Sequence, residues 1–133
     1  MGIERLQSLL EAQRNLAAAG LEVAMLFGSL ARGAARPDSD IDLAVFGSVD
    51  PLALSGALSS LLCREVDVVR IEGAPIPLLD SILRDGKVVF ERQPGAGATL
   101  RSRLLASLEV DRPWYGRMQR AFLARVADRG ILG

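Results

Sequence analysis

The sequence predicts an α/β (α+β) domain: a small mixed β-sheet flanked by helices, followed by a C-terminal helical pair. Three observations carry this prediction. Short apolar or β-branched runs alternate with segments of helical periodicity as far as Glu91. A Gly/Pro-rich break, QPGAGAT, follows at 93–99, and everything beyond it is helical in pattern. A chain of 133 residues fits one domain, with a core over about residues 1–92 and a helical segment over about 98–129.

The elements follow in order. Ile3, Leu6, Leu9, Leu10 and Leu16 recur at helical spacing, which predicts a helix from Ile3 to about Ala19, ended by Gly20. Leu21 to Phe27 is a short apolar strand that stops at Gly28-Ser29. LARGAAR then suits a short helix that Pro37 prevents from continuing. Asp40 to Phe46 alternates acidic and apolar residues before turning wholly apolar, the mark of a strand with one face on the core. Pro51 opens a helix to about Leu62, EVDVVRI (65–71) is a β-branched strand, PIPLLDSIL a helix ended by Gly86, and KVVFE the last strand. Two helices follow, separated near Asp111-Arg112-Pro113, the second burying Trp114 or Tyr115 with Met118, Phe122 and Val126.

Composition narrows the chemistry. Sixteen basic residues balance sixteen acidic ones, Lys87 is the only lysine, and no block of like charge occurs, so long nucleic acid is not an expected partner. No apolar run approaches the roughly 20 residues of a membrane span, and MGIERLQSLL lacks the apolar core of a signal peptide. A cytoplasmic protein without a membrane partner is expected. Cys63 stands alone, which excludes a disulfide framework within the chain and predicts a small core hydrophobe. The absence of histidine excludes Ser-His-Asp and Cys-His catalysis, imidazole bases and histidine-held zinc. What remains is chemistry by carboxylates, hydroxyls, arginines and hard cations.

Asp40 and Asp42 are two apart in a strand, so they share a face about 6.5 to 7 Å apart and repel each other. Asp67 lies within a separate strand, and if the two strands are neighbours a third carboxylate joins them. A hard divalent cation such as Mg²⁺, its shell completed by substrate phosphates, would compensate such a cluster. A bare Asp-x-Asp is more often a solvated strand face; Gly28-Ser29 changes the balance. Gly28 allows a sharp turn and close backbone approach, Ser29 offers a hydroxyl at a helix start, and Arg32 can reach the same anion with a planar fork of donors. Ser29 as a simple helix cap and Arg32 as a surface arginine are the alternatives. GSLARG has the glycine spacing of a Walker A loop, but Ala34 and Ala35 occupy the Lys and Ser/Thr positions, and no G-x-G-x-x-G occurs.

GSLARGAARPDSDIDLAVF followed by REVDVVRI resembles the signature of the DNA polymerase β-like nucleotidyltransferase superfamily, and within it the minimal nucleotidyltransferase branch. The resemblance continues through ILRDGKVVFER into the helical tail. It implies a nucleotidyltransferase fold holding ATP and one or two Mg²⁺ ions, Gly28, Ser29 and Arg32 binding nucleotide, and Asp40, Asp42 and Asp67 acting as metal ligands and catalytic residues. It also implies a partner, since similar proteins are antitoxins that transfer AMP to a tyrosine of a HEPN-domain ribonuclease toxin. About 40 residues follow Glu91, little for an acceptor-binding domain, which favours a macromolecular acceptor. Two other readings stand beside this one: a non-catalytic antitoxin that masks its toxin, and an adenylyltransferase acting on a small molecule such as an antibiotic.

Overall fold

A computed structural model describes residues 3–33 and 40–108 of the chain. Its elements are α1 (Ile3–Ala12), β1 (Leu21–Phe27), β2 (Ile41–Gly47), α2 (Pro51–Leu62), β3 (Val66–Arg70), α3 (Ile76–Asp85) and β4 (Lys87–Glu91). Residues 96–108 form a further helix, α4. The second C-terminal helix expected around Trp114, Tyr115, Met118, Phe122 and Val126 lies outside the described residues.

The four strands form one sheet in the order β3-β2-β1-β4. β1 pairs antiparallel with both β2 and β4, while β2 and β3 run parallel, so the sheet is mixed as expected. The parallel pair requires a crossover, and α2 supplies it. Asp50 caps that helix by accepting from the Leu52 N–H at 3.0 Å, and Pro51 sits where a missing N–H does no harm.

Both faces of the sheet are covered. On one, Ala24, Leu26, Leu43, Val45 and Val66 pack with Leu6 and Leu10 of α1 and Leu54 and Leu58 of α2. On the other, Val23, Met25, Phe27 and Ala44 pack with Ile82 of α3 and Leu100 of α4. This double coverage explains why β1 is continuously apolar from Val23 to Phe27, without alternation.

Three local expectations are corrected. α1 ends at Ala12, and 13–20 is a chain of turns. Arg92 draws that segment in, donating to the carbonyls of Leu21 at 2.8 Å, Arg14 at 3.0 Å and Ala18 at 3.3 Å, a long-range set invisible to helical periodicity. The helix expected after Ser29 is, over the described residues, a pair of turns closed by Arg32 N–H to Gly28 O and Gly33 N–H to Leu30 O, each 3.2 Å. Cys63 is exposed rather than in the core. It ends α2 in the left-handed region at φ 52°, which turns its side chain outward while Leu62 fills the buried position.

Candidate active site

β1 delivers Gly28 and Ser29 to the end of the sheet where β2 and β3 begin. Phe27 is the residue opposite Asp42 in the β1–β2 ladder, so Gly28 follows directly beside that carboxylate. Gly28 has φ 78°, a conformation that residues with a Cβ adopt only under strain, and an added Cβ would collide with Asp42 Oδ2. Two independent demands therefore meet at this glycine. Ser29 follows half-buried, and the turn returns Arg32 to the same end of the sheet.

The strand adjacency on which Asp67 depends is present. Asp42 and Asp67 are direct partners in the parallel β2–β3 ladder, which sets their backbones about 5 Å apart. Ile41, Leu43 and Val45 belong to the core on the α1/α2 side, whereas Ala44, Val69 and Ile71 pack on the α3 side. Alternation therefore sends Asp42 and Asp67 to the α3 face together. Asp40 stands immediately before β2 and is exposed.

The electrostatics reflect this crowding. Partial burial pushes the Asp42 carboxyl above the usual carboxylate range, the charges of Asp67 and then Asp40 push it further, and Arg32 opposes them. Among the described residues, no three acidic, histidine or cysteine side chains converge into a ready metal-binding group. The donor set nonetheless suits Mg²⁺, which is ordinarily held by one or two carboxylates and completed by water and substrate phosphate. Paired carboxylates whose negative charge Arg32 only partly offsets meet that description.

Spacing gave no signal for another residue at this end of the molecule. Asp85, the last residue of α3, accepts from Arg32 Nη1 at 3.3 Å and also faces Arg84 at 3.6 Å. A cavity of about 450 Å³ lies elsewhere, between Glu22, Phe46, Thr99 and Arg103, at the opposite end of β1 and β2 from the carboxylates. The candidate site is thus marked by its charge arrangement and lies apart from this cavity.

A glycine-serine turn closing over carboxylates on adjacent parallel strands of a mixed sheet defines the class: a nucleotidyltransferase fold. The family profile described as polymerase beta, nucleotidyltransferase matches residues 4–95. The chain belongs to this family and is a nucleotidyltransferase. A solved minimal nucleotidyltransferase is 38% identical, with 65% of this chain and 95% of that one covered and a TM-score of 0.52. A chain from a toxin-antitoxin complex with AMP-PNP shares the fold at 24% identity and TM-score 0.66, covering 96% of this chain and 98% of that one. A chain from the complex of tri-AMPylated Shewanella oneidensis HEPN toxin with MNT antitoxin does so at 20% identity and TM-score 0.62, with the same coverage. No curated protein matches the chain by sequence.

Proposed function

We propose that the chain transfers AMP from ATP to a tyrosine hydroxyl of a cognate HEPN ribonuclease toxin, acting as its antitoxin. The observation that carries the catalytic part is the Asp42–Asp67 pair, registered across β2 and β3 and closed over by the Gly28 turn. The partner reading is supported by chains of the same fold, matched over 98% of their length, that occur in toxin-antitoxin complexes. One such toxin carries AMP.

In the reaction the acceptor oxygen bonds to the α-phosphorus of ATP, the bond to the bridging oxygen breaks, and pyrophosphate leaves. Asp42 and Asp67, with Asp40 beside them, would hold Mg²⁺, which when bound neutralises the phosphates and the charge that develops on them. Gly28 allows the backbone to lie close to the phosphates, the Ser29 hydroxyl donates to them, and Arg32 adds a planar charged fork. Asp67 accepts the proton that the acceptor hydroxyl loses.

The test is intact-mass analysis of purified toxin incubated with this protein, ATP and Mg²⁺. Toxin mass should rise by one or more AMP units. Asp40→Ala and Asp42→Ala should each slow the gain more than about 100-fold, beyond the loss typical of residues that only support a metal ligand. Undiminished modification by these variants would remove the carboxylates from the mechanism. Neutralisation of the toxin that survives Asp42→Ala without any mass change would establish masking instead.

A further inference from the structure

We infer that Asp85 is a positioning residue for nucleotide binding: it holds the Arg32 guanidinium over the phosphate turn, and Arg101 of α4 sets where Asp85 stands. The inference rests on the proposed reading that Arg32 meets nucleotide phosphate.

Arg32 is bound at two places. Its backbone N–H closes the Gly28 turn, and one terminal nitrogen, Nη1, donates to Asp85 Oδ2 at 3.3 Å. Among the described residues the fork makes no other hydrogen bond, and the guanidinium is close enough to Asp42 for its charge to act there. Asp85 is the more enclosed partner, its side chain 14% exposed against 49% for Arg32, so it serves as the anchor and the arginine as the part that is held. Without that anchor, Arg32 would remain within electrostatic reach of Asp42, where a guanidinium would compete with a cation.

Helix stability does not explain an aspartate here. The C-terminal end of a helix carries a partial negative charge, which disfavours an acidic side chain in the last turn. Three arginines offset this placement. Arg84 and Arg32 meet the carboxylate, and Arg101 donates to the carbonyls of Leu83 and, at 3.4 Å, of Gly86. Gly86 itself fits tightly: a Cβ there would collide with Ile82 O and press on Met25, so the end of α3 is seated on β1 with little freedom. A continuous set of contacts thus runs from α4, beyond the 4–95 family match, through the last turn of α3 to Arg32.

The test is a double-mutant cycle in the full 133-residue chain, read as the affinity for AMP-PNP in the presence of Mg²⁺ by calorimetry, with the melting temperature of each variant recorded. Arg32→Gln and Asp85→Asn should each weaken binding about tenfold, the scale of losses at supporting residues. The double variant should be no weaker than Arg32→Gln alone, Asp85→Glu should restore most of the affinity, and Arg101→Gln should weaken binding about threefold, a partial form of the same loss. Asp85→Asn should melt within about 2 °C of the wild type, because the loss of two ion pairs with half-exposed or exposed arginines is offset by removing an unfavourable charge from the helix end. Losses that add in the double variant would overturn the inference, since Asp85 would then act by a route other than Arg32. So would an Asp85→Asn protein that binds like the wild type while Arg32→Gln does not, and that outcome leaves the proposed function intact. Unchanged affinity in Arg101→Gln would overturn the part assigned to α4. A wild-type chain that binds no AMP-PNP with Mg²⁺ would overturn the functional reading itself, and this inference with it.

Discussion

Asp42 is a residue whose charge the fold tolerates at a loss. Its carboxyl holds a proton to higher pH in the folded chain than in the unfolded one, because burial and the charges of Asp67 and Asp40 disfavour ionisation. Folding therefore takes up protons between the two pKa values. The contribution of Asp42 to stability is most favourable below the unfolded value and declines as pH rises through the folded one. In EDTA at neutral pH, Asp42→Asn should melt above the wild type, and the difference should vanish at pH values below the ordinary carboxylate range. A melting temperature that drops at neutral pH would contradict this account. Gly28 is the counterpart on the turn. Gly28→Ala should destabilise the chain by at least about 1 to 2 kcal/mol, the ordinary penalty of a left-handed backbone, and should slow transfer because the new Cβ displaces Asp42 Oδ2.

At the scale of elements, α2 and β3 are held together by two serines one helical turn apart. Ser55 Oγ donates to Val66 O at 2.5 Å, and the Val66 N–H donates to Ser59 Oγ at 3.1 Å. Both polar groups that Val66 presents to the open edge of the sheet are thereby satisfied, one residue before Asp67. Ser59→Ala leaves the Val66 N–H without its partner, and a loss of about 1 kcal/mol is expected in denaturant titration. The end of the same helix allows the opposite result. Cys63 sits at φ 52° without a glycine's freedom and far from the core, so Cys63→Gly should gain about 0.5 to 1 kcal/mol with unchanged transfer activity. Thermal melting with the toxin-modification assay checks both halves.

For the whole molecule, the sheet is stabilised from both faces while one of its ends gathers like charges. Leu43 and Val45 of β2 are fully buried, whereas Asp42 on the same strand is only half-buried among like charges. Such a site should be strengthened by what it binds. At a ligand concentration 100 times its dissociation constant, nucleotide with Mg²⁺ should add about 2.7 kcal/mol to the unfolding free energy of the wild type. Asp42→Asn should show little of that increment, reversing the order of stability expected in EDTA. Parallel melts with and without nucleotide would show whether the two curves cross.

The sequence by itself determined the order of the four strands and of the helices α1 to α3, because apolar periodicity and the positions of Pro51 and Gly86 are local signals that burial on a two-sided sheet does not contradict. Its likeness to the nucleotidyltransferase signature over Gly28-Ser29, Asp40 and Asp42 also pointed to the family that the match over 4–95 shows, and the absence of histidine narrowed the chemistry. Where α1 stops was decided by Arg92 reaching back some 70 residues, and the exposure of Cys63 by a left-handed helix end; neither leaves a mark in hydrophobic spacing. The Asp42–Asp67 register and the Arg32–Asp85 contact likewise exist only once β2 lies beside β3 and α3 ends beside the Gly28 turn. Local chemistry can be read along the chain because it depends on neighbours in sequence. Which distant charges meet depends on how the strands pair, and that was decided by the tertiary structure.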